Sequence, residues 1–127
     1  MFYRENIKMT NEIISTNNAP QAIGPYSQAV KAGNLMFISG QIPLDPETGN
    51  LVSQSIEDQA KQVLENVKSI CEAAGSSLDD IVKISIFLTD LSNFAVVNDM
   101  MKEYFSEPYP ARATVEVSGL PLGVNVK

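Results

Sequence analysis

The chain has 127 residues, 44% of them hydrophobic and 19% charged, with a formal net charge of −6 and a pI near 4.5. These proportions suit one globular domain and exclude a disordered chain. Its seven lysines are scattered with no adjacent pair, so a phosphate-backbone interface, and with it a nucleic-acid partner, is not expected.

Residues 1–11 read as an N-terminal extension, with a second methionine at Met9, and residues 12–127 as a single domain. Residues 1–8 hold no apolar stretch of signal-peptide type, and no run reaches the length of a membrane span. Glu12 to Thr16 is a strand candidate. Asn17 to Pro25 is rich in Asn, Pro and Gly and reads as a loop. Tyr26–Lys31 and Leu35–Ser39 form two strands, joined at Ala32-Gly33-Asn34 by a hairpin turn that tolerates positive φ. Gln41 to Gly49 is irregular. A helix starts at Ser55, with Glu57 and Asp58 in its first turn, and ends at Gly75. Ala60, Val63, Leu64, Val67, Ile70, Cys71 and Ala74 recur at helical spacing and mark its buried face. Within that stripe Cys71 is read as a small core residue rather than a reactive thiol.

Ser77 to Asp80 is a short capped turn. Ile81–Leu88 is the clearest strand, rich in β-branched residues. Thr89 to Asn93 caps a second helix, with Phe94, Val97, Met101, Tyr104 and Phe105 facing inward, and Pro108 and Pro110 stop it. From Ala111 to Val117 the chain alternates strictly. Ala111, Ala113, Val115 and Val117 share one face, and Arg112, Thr114 and Glu116 the other. Gly119 to Gly123 is a turn, and Val124 to Lys127 begins one more strand. This order implies an α+β fold, a mixed sheet with both helices on one face. Met36, Ile38, Ile84 and Ile86 are not expected all to reach the helices, so the second sheet face should be covered by oligomerisation.

The chain has no histidine. That excludes Ser-His and Cys-His nucleophilic pairs, most zinc sites, and the imidazole acid–base chemistry of many metal-independent ribonucleases. No metal site is expected. The single cysteine fits a reducing compartment and a cytoplasmic protein. Arg112 is the one arginine besides Arg4, and its guanidinium is a rigid, permanently charged fork suited to a carboxylate or phosphate. An ion pair within the protein and an anion-binding site are both consistent with its local context. Ser39 lacks a base to make it a nucleophile, but its hydroxyl and the backbone at Gly40 could bind a ligand. Gly40 could equally serve a turn, and Tyr26 could simply fill a packing gap. Along one strand Arg112 and Glu116 are about 13 Å apart and do not pair directly.

Five segments in order carry a resemblance: Ala22-Ile23-Gly24-Pro25-Tyr26-Ser27-Gln28-Ala29, Phe37-Ile38-Ser39-Gly40-Gln41-Ile42, Gln62-Val63-Leu64-Glu65-Asn66-Val67, Phe87-Leu88-Thr89-Asp90, and Pro110-Ala111-Arg112-Ala113-Thr114-Val115-Glu116-Val117. From about Ile13 onward the chain resembles the RidA/YjgF family, also called endoribonuclease L-PSP or translation inhibitors. The resemblance implies a chorismate-mutase-like subunit, with three subunits forming a barrel and sites in the clefts between them. It implies hydrolysis of reactive enamines and imines, such as 2-aminoacrylate and 2-iminopropanoate, to 2-oxo acids and ammonia, without a cofactor. Such substrates come from dehydratases and other pyridoxal-phosphate enzymes. Arg112 matches the arginine that clamps the substrate carboxylate. Tyr26, Ser39, Gly40 and Asn98 match positions lining the cleft. Thr114 stands where many relatives carry cysteine, and is grouped with Arg112 in the catalytic set. The family's proton-handling glutamate lies on the final strand, where counting reaches Lys127. Either that glutamate lies further on or a lysine replaces it. The alternatives to a deaminase are a non-catalytic trimer binding 2-oxo or amino acids, and an endoribonuclease or translation inhibitor.

Overall fold

In the computed structural model residues 11–127 are described; apart from Asn11, the expected N-terminal extension lies outside them. Asn11 itself opens the first strand. β1 (Asn11–Ile14), β2 (Ala29–Ala32) and β3 (Leu35–Ile38) form an antiparallel meander in that order. Gly33, at φ 61°, makes the tight β2–β3 turn. β2 is shorter than expected. Gly24 at φ 126° and the Tyr26 N–H bond to the Gly24 carbonyl at 2.9 Å hold Tyr26 in a turn. Gln28 then spends its side chain on the preceding loop: its Oε1 accepts from the Thr16 N–H at 2.7 Å, and its Nε2 donates to the Thr16 and Pro20 carbonyls at 3.0 and 2.8 Å.

α1 (Ile56–Ala73) starts as its sequence directs, with the Ser55 hydroxyl accepting from the Asp58 N–H, and it ends before Gly75 at φ 77°. β4 (Lys83–Leu88) leads through a short 3-10 turn into α2 (Phe94–Tyr104), which crosses over to β5 (Ala111–Glu116), parallel to β4. The chain then returns along the opposite edge of β4. Phe87 and Lys127 exchange backbone hydrogen bonds at 2.9 and 3.0 Å, and the Thr89 N–H donates to the Asn125 carbonyl.

Two expectations are corrected. Instead of one mixed sheet, the described residues form a three-stranded antiparallel sheet and a two-stranded parallel one, with no strand joining β3 to β4. And Met36, Ile38, Ile84 and Ile86 do all face the helices, packing against Leu64, Val97, Met101 and Phe105. Residues two apart on a strand share a face, so each pair points the same way. The uncovered apolar residues are others: Ile13, Leu35, Phe37 and Val115 are 56, 59, 63 and 45% exposed, on the faces turned away from the helices.

Buried amides tie the irregular segments to α1. Asn66 donates to the Ile42 and Leu44 carbonyls, and accepts from Gln62. Gln59 donates to the Ser53 carbonyl and accepts from the Asn125 N–H at 2.8 Å, which fixes the start of the terminal segment. Both amides are fully buried, where an unmet partner would be costly.

Candidate functional site

Arg112 projects from β5 beside the first turn of α2. Its Nη1 donates to Asn98 Oδ1 at 2.7 Å, and its guanidinium carbon lies 5.1 Å from the centre of the Phe94 ring. Phe94 was expected in the core; it is instead 38% exposed and forms a platform under the charge. The ion pairs among the described residues are Lys31–Glu12 and Lys102–Asp99, so Arg112 meets no carboxylate there. The guanidinium is exposed, with most of its donors unspent and its orientation set by Asn98 and Phe94. Glu116, on the same strand face, serves elsewhere: it accepts from the Leu91 N–H at 3.0 Å.

Thr114 lies two residues along that face, opposite Ile86 on β4. Its Oγ1 is buried without a hydrogen-bond partner among the described residues. A buried hydroxyl normally has one, so Thr114 has capacity left for a water or a ligand atom near the guanidinium.

A second group forms at the end of β3. The Ser39 hydroxyl donates to the Ser27 carbonyl, and the Ser39 N–H donates to the Gln28 carbonyl. The hydroxyl thus holds the Tyr26–Ser27 turn while its lone pairs stay free to accept. Tyr26 is half exposed, with its ring over Gly24. Gly40 lies beneath the end of the flexible Lys127 side chain, which could move aside for a larger residue. Its φ is not in the left-handed region, and a Cβ there would overlap the Lys127 side chain. Lys127 was singled out by counting alone, and the terminal segment brings it against Gly40.

The two groups do not meet within one chain. Lys127 is in register with Phe87, which pairs with Val115, whereas Arg112 pairs with Ile84 and Thr114 with Ile86. Adjacent residues in register share a face and alternate residues oppose it. Lys127 therefore starts from one face of β4, and Arg112 and Thr114 from the other. Arg112, Asn98 and Thr114 are brought together, as are Tyr26, Ser39, Gly40 and Lys127. The sequence reading missed Phe94 as the charge's platform and Gln59 as the anchor of the terminal segment. Gln59 shares α1's buried stripe with Ala60 and Val63, and an amide inside an apolar stripe was the available signal. Cys71 is buried in the core, and burial pushes its thiol pKa up, which leaves it inert.

Among the described residues no helix is long and apolar enough to cross a membrane. The family model for Endoribonuclease L-PSP matches residues 16–127. A RutC family protein of Pyrococcus horikoshii is 56% identical over 91% of this chain and 92% of its own length. A 2-iminobutanoate/2-iminopropanoate deaminase of Dermatophagoides farinae is 47% identical over 91% of this chain and 90% of its own. The crystal structure of RidA from an Antarctic Psychrobacter superimposes with a TM-score of 0.88 at 56% identity, covering 91% of this chain and 93% of that one. With its α+β fold, its two helices and these relatives, the chain belongs to the RidA/YjgF family, the family of Endoribonuclease L-PSP.

Proposed function

We propose that this protein is a cytoplasmic, cofactor-independent deaminase that hydrolyses reactive enamines and imines, such as 2-aminoacrylate and 2-iminopropanoate, to 2-oxo acids and ammonia. The observation that carries the reading is Arg112: an exposed guanidinium without a carboxylate partner among the described residues, oriented by Asn98 over Phe94. A 2-imino acid supplies the missing carboxylate, and a bidentate pair fixes its position. Water adds to the imine carbon, the nitrogen takes a proton, and the carbinolamine collapses to the 2-oxo acid with loss of ammonia. Thr114 Oγ1, otherwise unpaired, holds the water or the substrate nitrogen. Holding the reactants in place is the main contribution such a site makes.

The reading includes a homotrimer. Arg112 and Gly40 belong to groups that one chain keeps apart, and the exposed faces at Ile13, Leu35, Phe37 and Val115 suit burial against neighbouring subunits. In this reading the Tyr26–Ser39–Gly40 group of one subunit meets the Arg112 group of the next. Size-exclusion chromatography with light scattering tests the assembly; a monomer at assay concentration would overturn it.

One observation favours a second reading. Lys127, the position that counting matches to the family's glutamate, lies against Gly40, and a lysine holds anions better than it polarises water. A non-catalytic binder of 2-oxo or amino acids would retain pyruvate binding through Arg112 while leaving imine decay unchanged. Calorimetry with pyruvate, run beside the imine assay, separates the two.

A further inference from the structure

Glu116 ends β5 on the same strand face as Arg112 and Thr114. Its Oε1 accepts from the Leu91 N–H at 3.0 Å, across 25 residues of chain. Leu91 opens the 3-10 turn Leu91–Asn93 that leads into α2, and its carbonyl accepts from the Phe94 N–H. Two hydrogen bonds thus connect the carboxylate to the backbone of the residue whose ring lies under the guanidinium. Phe94 and Asn98, the two groups that hold Arg112, are four residues apart on α2 and share one helix face. Among the described residues, the hydrogen bonds that join β5 to this segment are Arg112 to Asn98 at one end and Leu91 to Glu116 at the other.

The two ties act as rungs between strand and helix. From Arg112 to Glu116 the strand advances roughly 13 Å. From Leu91 to Asn98 seven helical residues advance about 10 Å in the opposite sense. Val97 and Met101 seat the middle of α2 in the core, but its start lacks such burial: Leu91 and Phe94 are 45 and 38% exposed. The position of that first turn therefore depends on hydrogen bonds. Its local cap cannot supply it. Asp90 accepts from the Ser92 N–H at 2.9 Å, but it belongs to the same segment and moves with it. Glu116 reaches in from β5, and a carboxylate makes a charge-assisted, firmer bond than a neutral acceptor.

We propose that Glu116 is a positioning residue for the anion clamp: its carboxylate fixes the start of α2 against β5 and thereby seats Phe94 and Asn98 against Arg112. Its effect on turnover rests on the deaminase reading above; its effect on the guanidinium does not. The test therefore follows the guanidinium first. The chain has two arginines, so an NMR spectrum of arginine Nε–Hε groups holds two signals, and Arg112→Lys identifies that of Arg112. Glu116→Ala should move this signal toward the position it takes in Phe94→Leu, where the ring current is gone. Glu116→Gln keeps an acceptor oxygen and should hold the signal near its parent position. Leu91→Pro deletes the donor alone, at the first position of the turn and after an extended Asp90 at ψ 112°, where proline is tolerated. It should match Glu116→Ala, and the double variant should add nothing to either. With 2-iminopropanoate, kcat/KM should fall about fivefold in Glu116→Ala and in Leu91→Pro, the factor that one hydrogen bond supports, and Glu116→Gln should restore most of it. An unmoved Arg112 signal in Glu116→Ala, a glutamine variant that behaves like alanine, or additive losses in the double variant would overturn the proposal. A parent chain without turnover would remove the deaminase reading and leave the Arg112 signal to decide this one.

Discussion

Arg112 and Lys127 flank the same strand and are held in opposite ways. Arg112 stands at an edge of the molecule, its guanidinium supported by Phe94 and oriented by Asn98, with no ionic partner among the described residues. Lys127 is fixed through its backbone, which pairs with Phe87 and is anchored through Asn125 by the buried Gln59, while its flexible side chain lies over Gly40. The first arrangement suits the proposed binding of an anion that comes from outside. The second sets where the chain runs and leaves the chemistry of the side chain open to change. Strand register keeps the two apart within a subunit, and the proposed trimer is what would join them.

The sharpest way to break this comparison is at the arginine. Arg112→Ala should lower kcat/KM for 2-iminopropanoate by about 100-fold, the loss expected for a bidentate charge-assisted pair. Arg112→Lys should also fall clearly, since a point charge replaces a fork; near-normal kinetics in the lysine variant would sink the clamp. Next in size is the uncovered face. Phe37→Asp should dissociate the proposed trimer on a sizing column and take activity with it, because the two groups then would not meet. A monomer with full activity would show that one chain suffices. Lys127→Glu should raise kcat by at least about tenfold by supplying a proton-handling carboxylate. No change there would remove Lys127 from the reaction.

Two smaller effects concern the scaffold beneath the groups. Asn66→Ala should cost about 1–3 kcal/mol in urea unfolding, since the Ile42 and Leu44 carbonyls lose their donor. Tyr104 links the helices by donating to Glu65, and its phenol pKa is pushed up first by burial and then by that carboxylate. A raised value means that the folded state favours the neutral phenol. Its contribution to stability is full below about pH 10 and is lost as the pH climbs beyond that. Tyr104→Phe should therefore melt with a weaker alkaline dependence than the parent between about pH 9 and 11. Parallel curves would remove Tyr104 from the alkaline response.

Much of the fold was legible because its signals are local. Ser55, Gly75 and the spacing of Leu64, Ile70 and Cys71 define α1 without any knowledge of its neighbours. The alternation of β5 correctly separated Arg112 and Thr114 from Ala113 and Val115. It did not say which face meets the helices. Neither face of β5 carries a large apolar side chain apart from Val115, and that residue turns away from the core. Phe94 was misread for a related reason. Its spacing to Val97 and Met101 is that of a buried stripe, but it stands at the first turn of α2, where packing gives way to solvent and a cation can use the ring. The pairing of Lys127 with Phe87 depends on Gln59 and on a turn with Leu122 at φ 57°, contacts that no local pattern predicts.

The most direct test generates 2-iminopropanoate from alanine with an amino-acid oxidase and follows its decay with and without the protein, no cofactor being added. The account predicts faster decay to pyruvate with the parent chain and the uncatalysed rate with Arg112→Ala. Decay at the uncatalysed rate with the parent protein would contradict it.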